Sequence, residues 1–368
     1  KDIVTCAEMF FLEYGEYFTE KEKKLVVEAC RIHDLGKVNL VFQAMICPKL
    51  AEKFHIDVRK TSQIPHGFLS AVTISLDEFD DLSELFSDKD FGPFITAVYY
   101  HHDREDHYNS PAIRKYAEKY YMKQIEEYLN RKIRKLNCSN LDDLLFRNNV
   151  YTGKYIPDSN AWKEYLLIKG LLNKFDYTVS AGYENAESAI DLHEKKLVKN
   201  IEKFLNGKEL RPAQKFMKMN RDKNLIVIAP TGSGKTEASL LWMNGEKSFY
   251  TLPLKVSSNA IYLRIKENYE YKDVALLHSD AMAVYLREYN GNEDIGEKYE
   301  RSKMLSQPLT VCTVDQLFRF VYRALGTEIF AATLKYSKLV LDEIQAYEPR
   351  VIATIIYGFK KKFVATCM

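Results

Sequence analysis

The sequence lacks several features that would place it in a specialised class of protein. Its six cysteines form no Cys-X-X-Cys pair, which argues against a zinc ribbon or a disulfide framework and favours reduced thiols. No apolar run approaches the roughly 20 residues that a membrane-spanning helix needs. The 53 basic residues nearly balance the 51 acidic ones, so any binding to nucleic acid must come from local patches. We therefore expect a globular cytoplasmic protein with no membrane partner.

The pattern of apolar residues changes near residue 200. Residues 1–195 show the spacing of amphipathic helices, with few strand-like runs. From about residue 210, short apolar runs alternate with helix-length segments, which is typical of a parallel α/β sheet. The charged stretch between them predicts a connecting helix. The sequence thus predicts a multidomain chain, with an all-α domain over 1–195, a linker helix over 196–209 and an α/β domain over 210–368.

A glycine-bearing loop in the second half has the features of a phosphate-binding loop. The segment NLIVIAPTGSGKTEASLLW predicts a strand, a tight turn and a helix, so that backbone amides can approach a phosphate. A chance glycine turn is the structural alternative, but the flanking strand and helix favour a site for ATP with Mg²⁺. The candidate residues of this loop are Thr231, Gly232, Ser233, Gly234, Lys235 and Thr236.

A second acidic motif supplies what such a loop needs for hydrolysis. The apolar run KLVLDEIQ ends in Asp342 and Glu343, at the position where a neighbouring strand of a nucleotide-hydrolysing domain carries its carboxylates. Asp342 would hold the magnesium ion, and Glu343 would orient or deprotonate the attacking water. A helix N-cap is the alternative interpretation, but it would leave the loop without its metal partner.

The segments around these two motifs resemble those of superfamily-two helicases. The family has a Q-like motif, motifs Ia and Ib, the DEAD/DEAH-type motif II and motif III, in that order. The matching segments here are LRPAQKFM with Gln214 (Q-like), TLPLKVSSNAIYLRI (Ia), CTVDQLF (Ib) and, after the acidic strand, VATCM (III). The resemblance implies a RecA-like domain in which Gln214 contributes to the nucleotide site. It also implies nucleic-acid contacts, each of which has a capping or turn role as its alternative, at Pro253, Leu254, Thr313 and Gln316.

The first half places histidines and carboxylates on several predicted helices. An adjacent His and Asp occur in RIHDLGKVNL, and a His lies at the predicted start of a helix in IPHGFLSAV. Two histidines lie at the predicted end of a helix in ITAVYYHHDR, and an Asp lies on a further predicted helix in LLNKFDYTVSAG. If they converge, these side chains form a nitrogen and oxygen cage suited to Mn²⁺, Fe²⁺, Co²⁺ or Ni²⁺. The candidate ligands are His33, Asp34, His66, His101, His102 and Asp176.

This order of ligands resembles the HD phosphohydrolase superfamily, in particular its nuclease branch. Placed ahead of a helicase core, it resembles the nuclease-helicase of type I CRISPR interference over essentially the whole chain. The double histidine and the DEIQAYEP form of motif II favour this branch over nucleotidases. The resemblance implies a metal-dependent nuclease that cleaves single-stranded DNA, and an ATP-dependent helicase. Its partners would be R-loop DNA and a crRNA-guided, Cascade-like surveillance complex.

The resemblance also implies a role for each ligand. Asp34 would bridge two metals, and Lys37 would face a substrate phosphate, so both join Glu343 as candidate catalytic residues. His33 and Asp176 would serve one metal. The other metal would take the three remaining histidines, which are His66, His101 and His102.

The sequence departs from the family pattern at both ends. The family has another histidine ligand in its first helix, whereas no histidine precedes His33. We expect that ligand upstream of Lys1; the alternative is a degenerate site with one metal. We also expect the second RecA-like domain beyond Met368, so that this chain alone would bind ATP but hydrolyse it poorly. His55 and His107 fit no ligand position and are expected at the surface.

Two other functions remain open at this stage. One is a nucleotide phosphohydrolase with a regulatory P-loop domain, which would cleave mononucleotides and ignore polynucleotides. The other is a non-catalytic recruitment module that uses ATP to control docking on a partner complex. The intact ligand positions argue against the second, but the absent first histidine keeps it open.

Overall fold

The computed structural model describes residues 2–74, 91–102, 110–133, 136, 160–188, 195–288, 295–322 and 326–360. The chain divides into two compact units, residues 1–184 and 185–368. In the part of the chain that is described, no helix is both long and apolar enough to cross a membrane.

The described part of the first unit is helical. Two 3₁₀ turns, Gly15–Tyr17 and Leu35–Val38, connect some of the helices. The α-helices are Ile3–Tyr14, Glu20–Ile32, Leu40–Ile46, Pro48–Lys53, His66–Thr73, Gly92–Tyr99, Ser110–Tyr120, Met122–Leu129 and Asn160–Ser180.

The long helix Asn160–Ser180 organises the core of the first unit. Most of its side chains are buried, and it packs against Gly92–Tyr99, Glu20–Ile32 and Ile3–Tyr14. Phe175 on this helix contacts the ring of Phe10, with ring centroids 5.2 Å apart. Because three of these helices carry or end at predicted ligands, this packing brings the ligands together.

The second unit contains a parallel four-stranded sheet with the order β2-β3-β1-β4. Its strands are β1 (Ser248–Leu252), β2 (Val274–Leu277), β3 (Leu309–Thr313) and β4 (Lys338–Leu341). Residues of β1, β2 and β3 are buried, as expected for apolar runs covered on both faces. The predicted all-α half followed by an α/β half with a parallel sheet is confirmed.

Helices surround the sheet. Two further 3₁₀ turns lie at Arg319–Tyr322 and Ile344–Ala346. The α-helices are Lys196–Leu205, Pro212–Met219, Lys235–Met243, Lys255–Glu267, Ala281–Arg287, Ile295–Lys303, Val314–Leu317, Glu328–Leu334 and Pro349–Lys360.

The predicted linker helix is part of the second unit. Lys196–Leu205 buries Leu197, Val198 and Ile201 in the core that surrounds β1 and β2. The division between the units falls after Glu184, about ten residues before the predicted end of the first domain. The apolar face of this helix explains the difference, since a charged segment with one apolar stripe packs on a core rather than spanning solvent.

The strand predicted ahead of the glycine-bearing loop was wrong. Residues 224–229 belong to no strand of the sheet. Leu225 and Val227 pack against the core, whereas Ile226 and Ile228 are 95% and 97% exposed. A cavity of about 430 Å³ is lined by residues of this segment and of β4. The alternation of side chains is that of an extended chain, but its backbone does not pair with β4.

A buried ion pair fastens the start of the second unit to its sheet. The side chains of Lys247 and Glu187 are 0% and 2% exposed, with Nζ and Oε2 2.6 Å apart. Lys247 also donates to the carbonyl oxygens of Leu305 and Gln307, and Tyr336 donates to Glu187. Each charge is thus compensated in a site that excludes water.

Replacing Lys247→Met should destabilise the second unit by about 3–5 kcal/mol, because the Glu187 carboxylate would lose its buried partner. Urea unfolding of a Trp162→Phe background would measure this, since the remaining tryptophan, Trp242, lies in the second unit. Adding Glu187→Gln should recover part of the loss. An unchanged unfolding midpoint would show that the pair contributes little.

Candidate metal centre and nucleotide site

His33 and Asp34 lie where a helix gives way to a turn. The helix Glu20–Ile32 is started by a Thr19 capping box and ends one residue before His33, and a 3₁₀ turn begins at Leu35. Adjacent residues on a continuous helix diverge by about 100°, so this break allows both side chains to face the same place. Ser70 fixes the turn by donating to the His33 carbonyl oxygen at 2.6 Å.

The His33 ring is held with its outer nitrogen toward two carboxylates. Nδ1 donates to the carbonyl oxygen of Cys30 at 2.8 Å, so in the neutral ring Nε2 carries the free lone pair. That Nε2 lies 3.4 Å from Asp34 Oδ2 and 3.7 Å from Asp176 Oδ1. Hydrogen bonding of the inner nitrogen to a carbonyl is how proteins orient a metal-binding imidazole.

The double histidine reaches the same place from another helix. Gly92–Tyr99 ends just before His101 and His102, which confirms that the pair lies beyond a helix end. His101 Nδ1 donates to Val98 O at 2.7 Å, and its Nε2 lies 3.2 Å from Nε2 of His66. His102 Nε2 lies 3.4 Å from Asp176 Oδ2.

Asp34 connects the two parts of the cluster. Its Oδ1 lies 3.2 Å from His66 Nε2, and its Oδ2 is 2.7 Å from Lys37 Nζ. In each of two sets of three residues, one donor atom per residue lies within 4.8 Å of the other two. One set is His66, His101 and His102, and the other is His33, Asp34 and His101. All six predicted ligands are brought together, and Lys37 stands beside them.

The donor atoms fit a divalent cation. His33 Nε2 is buried without a hydrogen-bond partner among the described residues. His101 donates through Nδ1 to a carbonyl oxygen, so in the neutral ring its Nε2 also carries a lone pair, and this nitrogen faces Nε2 of His66 at 3.2 Å. Imidazole nitrogens with carboxylate oxygens form a set suited to first-row transition metals.

The two carboxylates of the cluster stay ionised. Burial alone would raise the pKa of Asp34, but His66, His33 and Lys37 hold this pKa below its usual value. Burial likewise opposes ionisation of Asp176, yet contact with His33 keeps the pKa of Asp176 below its ordinary value. Both side chains therefore provide negative charge over the physiological range of pH.

The double histidine stays neutral. Burial lowers the pKa of His101 well below its ordinary value, and the nearby His102 and His33 lower it further. Burial also lowers the pKa of His102. Burial opposes protonation of His33, but Asp176 and Asp34 outweigh burial and raise the pKa of His33. Neutral His101 and His102 beside ionised carboxylates are in the protonation states in which both groups bind metals, whereas His33 must release any proton that it carries at Nε2.

Sequence reasoning missed two glycines that allow the ligands to approach. A Cβ on Gly36 would lie 2.0 Å from the carbonyl oxygen of His66, and one on Gly67 would lie 2.9 Å from Nδ1 of His101. Both distances are shorter than any tolerated contact. Each glycine lies beside a predicted ligand, in HDLGK and in PHGF, and this position in the sequence could have identified both glycines as part of the site. His55 is exposed as expected, and His107 lies outside the described residues.

In the second unit, the glycine-bearing loop leads into the helix Lys235–Met243. Gly232 and Gly234 have φ of 78° and 85°, a left-handed conformation that glycine adopts without strain. Lys235 Nζ donates to Ala229 O at 3.1 Å and lies 3.5 Å from Glu343 Oε1. The lysine and the motif II glutamate thus lie close together beside the loop.

Gln214 contacts this loop directly. Its Oε1 accepts from the Arg211 backbone at 3.0 Å, and its Nε2 donates to Gly234 O at 3.4 Å. A Cβ on Gly234 would clash with the Gln214 amide, and the Arg211 guanidinium donates to Gly232 O. Gln214 and Arg211 therefore both contact backbone carbonyl oxygens of the loop.

Asp342 and Glu343 follow β4 at the carboxyl end of the sheet. Asp342 Oδ1 accepts from the Glu343 amide at 2.9 Å, and its Oδ2 accepts from the Tyr250 hydroxyl at 2.6 Å. Glu343 has φ of 53°, an uncommon conformation for a residue with a side chain, and such residues often occur at functional sites.

The predicted nucleic-acid contacts lie at neighbouring strand ends. Leu252 at the end of β1 is in register with Thr313 at the end of β3. Leu254 is exposed, and Pro253 and Gln316 are partly exposed. Thr313 is only 4% exposed, so its side chain is not available to a ligand in this conformation. The VATCM segment lies outside the described residues.

Comparison with known proteins identifies both halves. Residues 6–161 match the family described as Cas3, HD domain, and residues 212–361 match the DEAD/DEAH box helicase family. These ranges fall inside the predicted 1–195 and 210–368. The motif-based resemblance to the CRISPR-associated nuclease-helicase is confirmed.

Two curated relatives are both named as a CRISPR-associated nuclease/helicase Cas3, one of them as putative. The chain is 29% identical over 212 residues to the CRISPR-associated nuclease/helicase Cas3 of Methanothermobacter thermautotrophicus, covering 55% of this chain and 25% of the relative. It is 28% identical over 160 residues to the putative CRISPR-associated nuclease/helicase Cas3 of Methanocaldococcus jannaschii, covering 40% of this chain and 22% of the relative. The matches thus span about a quarter of the length of these relatives.

Solved structures share the fold. Two of them are crystal structures of T. fusca Cas3, one with ADP and one with ATP. Each alignment covers 95% of this chain and 44% of the T. fusca chain at 17% sequence identity, with TM-scores of 0.59 for the ADP structure and 0.54 for the ATP structure. The chain thus carries a region that matches the Cas3 HD domain family followed by a region that matches the DEAD/DEAH box helicase family, and it is similar to curated Cas3 proteins over part of their length.

Proposed function

We propose that the first unit is a metal-dependent nuclease for single-stranded DNA and that the second unit is an ATP-binding helicase domain. The observation that carries the proposal is the convergence of four histidines and two aspartates from separate helices on one place. The cluster combines buried polar nitrogen atoms with ionised carboxylates. If it served only to stabilise the fold, apolar side chains of similar size would do so better.

Two metals would be held by the six predicted ligands in the arrangement that the family implies. His33 and Asp176 would hold one, the histidines at 66, 101 and 102 would hold the other, and Asp34 would contact both. When bound, divalent metals polarise a phosphodiester and promote the deprotonation of water. The nitrogen-rich ligand set favours Mn²⁺, Fe²⁺, Co²⁺ or Ni²⁺ over Mg²⁺.

The chain's own side chains would orient the substrate. Lys37 holds its ammonium group 2.7 Å from Asp34 Oδ2 and is partly exposed, so it can turn toward a phosphate at the cluster. The Asp34 carboxylate would keep this ammonium close to the metals. Lys37 therefore binds and orients a phosphate, while Asp34 positions both the metals and the lysine.

The second unit would bind ATP with Mg²⁺ through the loop Thr231–Thr236. Lys235 would contact the β- and γ-phosphates, Thr236 and Asp342 would hold the magnesium ion, and Glu343 would orient water. Gln214 would link nucleotide binding to the loop through Gly234. We also propose that this domain takes part in moving R-loop DNA to the nuclease after recruitment by a crRNA-guided, Cascade-like complex.

Cleavage of a covalently closed single-stranded DNA circle tests the nuclease proposal. After removal of metals by a chelator, we expect the 368-residue chain to linearise the circle with Mn²⁺, Co²⁺ or Ni²⁺ and much more slowly with Mg²⁺. Hydrolysis of mononucleotides with the circle left intact would favour the nucleotide phosphohydrolase instead. Failure to cleave either substrate with any of these metals would contradict the proposal and favour a recruitment module.

A further inference from the structure

Tyr250 contacts motif II from the neighbouring strand. It lies in the middle of β1 and is fully buried. Its hydroxyl donates to Asp342 Oδ2 at 2.6 Å. A buried phenol therefore holds one oxygen of a carboxylate that would bind magnesium.

The sheet register explains why position 250 reaches this place. Tyr250 is paired with Val340 across β1 and β4, and side chains two residues apart on an extended chain lie on the same side. Asp342, two residues beyond Val340, continues on the side to which Tyr250 points. Phe249 and Thr251 point to the other side, so no neighbour on β1 can replace this contact.

We propose that Tyr250 is a positioning residue for the magnesium ion of the nucleotide site, holding Asp342 in the orientation that binds the metal. This inference rests on the proposed ATP site. Both oxygens of Asp342 then have fixed partners, the Glu343 amide on Oδ1 and the Tyr250 hydroxyl on Oδ2. A carboxylate fixed in this way loses little conformational freedom when it binds a cation.

The phenol is suited to this task because it remains a donor. A tyrosine hydroxyl ordinarily keeps its proton below about pH 10, and its partner here, Asp342 Oδ2, is an acceptor. Hydrogen-bond partners of metal ligands commonly change metal affinity by 10- to 100-fold when they are removed.

The substitution Tyr250→Phe tests the inference, because phenylalanine fills the same space without the hydroxyl. A fluorescent ATP analogue is titrated into the chain at a series of Mg²⁺ concentrations and also in EDTA. We expect the Mg²⁺ concentration for half-maximal binding to rise about 10-fold, with binding in EDTA unchanged. Tryptophan fluorescence during unfolding in the Trp162→Phe background, in which Trp242 is the remaining tryptophan, checks that the second unit remains folded.

Tyr285→Phe is the matched control. Tyr285 is also buried in the second unit, and its hydroxyl donates to Leu276 O at 3.0 Å, away from the proposed site. It should leave the Mg²⁺ dependence unchanged. An equal loss of binding with and without Mg²⁺ in Tyr250→Phe would mean a structural role and overturn the inference, as would an unchanged Mg²⁺ dependence.

A crystal structure of the unsubstituted chain with ATP analogue and Mg²⁺ gives a second test that needs no variant. We expect the Tyr250 hydroxyl to remain within hydrogen-bond distance of Asp342 while the carboxylate or its water contacts the metal. A hydroxyl turned away from Asp342 would overturn the inference. If the unsubstituted chain binds no nucleotide, the ATP site itself fails and the inference falls with it, which distinguishes the two failures.

Discussion

Asp34→Ala should reduce cleavage of single-stranded DNA by more than about 100-fold. Removing a residue that only hydrogen-bonds to a metal ligand typically reduces metal affinity or activity 10- to 100-fold, and we expect the loss of a ligand itself to have a larger effect. Asp34 contacts His33, His66 and Lys37, so its removal takes away the central carboxylate of the cluster. Linearisation of the single-stranded circle in Mn²⁺ measures the rate, and calorimetric titration with Mn²⁺ measures metal affinity. Both should fall together.

His55→Ala provides the matched control for this experiment. His55 is an exposed histidine of the same unit and should leave cleavage and metal affinity unchanged. Binding of an ATP analogue should be normal in both variants, because the nucleotide site lies in the other unit. Full cleavage by Asp34→Ala, or loss of nucleotide binding in a folded protein, would contradict the assignment of chemistry to the first unit.

Lys235→Ala should weaken binding of the ATP analogue by about 10- to 150-fold, the equivalent of a charge-assisted hydrogen bond of roughly 1.5–3 kcal/mol. Lys235 starts the helix at the glycine-bearing loop and lies near Glu343, so its ammonium group is placed to contact phosphate. Fluorescence titration measures the affinity. Cleavage of the single-stranded circle by the first unit should be unchanged.

Lys203→Ala is the control for Lys235→Ala. Lys203 is an exposed lysine of the second unit that pairs with Glu270 at the surface, and its loss should leave nucleotide affinity unchanged. Equal weakening in both variants would indicate a general electrostatic effect. Loss of DNA cleavage in folded Lys235→Ala would show that the two chemistries are not separable.

The ligands of the candidate metal centre could be predicted because their motifs are local and their order along the chain is distinctive. His33 with Asp34, and His101 with His102, each occupy adjacent positions that face one place only where a helix ends. The sequence indicated the helix end before His101, whereas the helix end at His33 came from the structure. The distances among them depend on how the helix carrying Asp176 packs against its neighbours, which no local pattern specifies.

Features that depend on contacts between distant residues could not be predicted. Gly36 and Gly67 matter only because the backbone of His66 and the ring of His101 approach them. Tyr250 was indistinguishable from other buried aromatic residues until the register of β1 with β4 placed it beside Asp342. The apolar run at 224–229 has the composition of a strand, but composition does not say whether a neighbouring backbone is within reach for pairing.

The most direct test of the central claim is the anomalous scattering of manganese in crystals of the chain soaked with Mn²⁺. We predict density inside the cluster, about 2.0–2.6 Å from side-chain nitrogen and carboxylate oxygen atoms, with Asp34 among the ligands. Two peaks would support the two-metal arrangement, and one peak would indicate the degenerate site. Density only outside the cluster, or none at a Mn²⁺ concentration that supports cleavage, would contradict the claim that these six side chains form the metal centre.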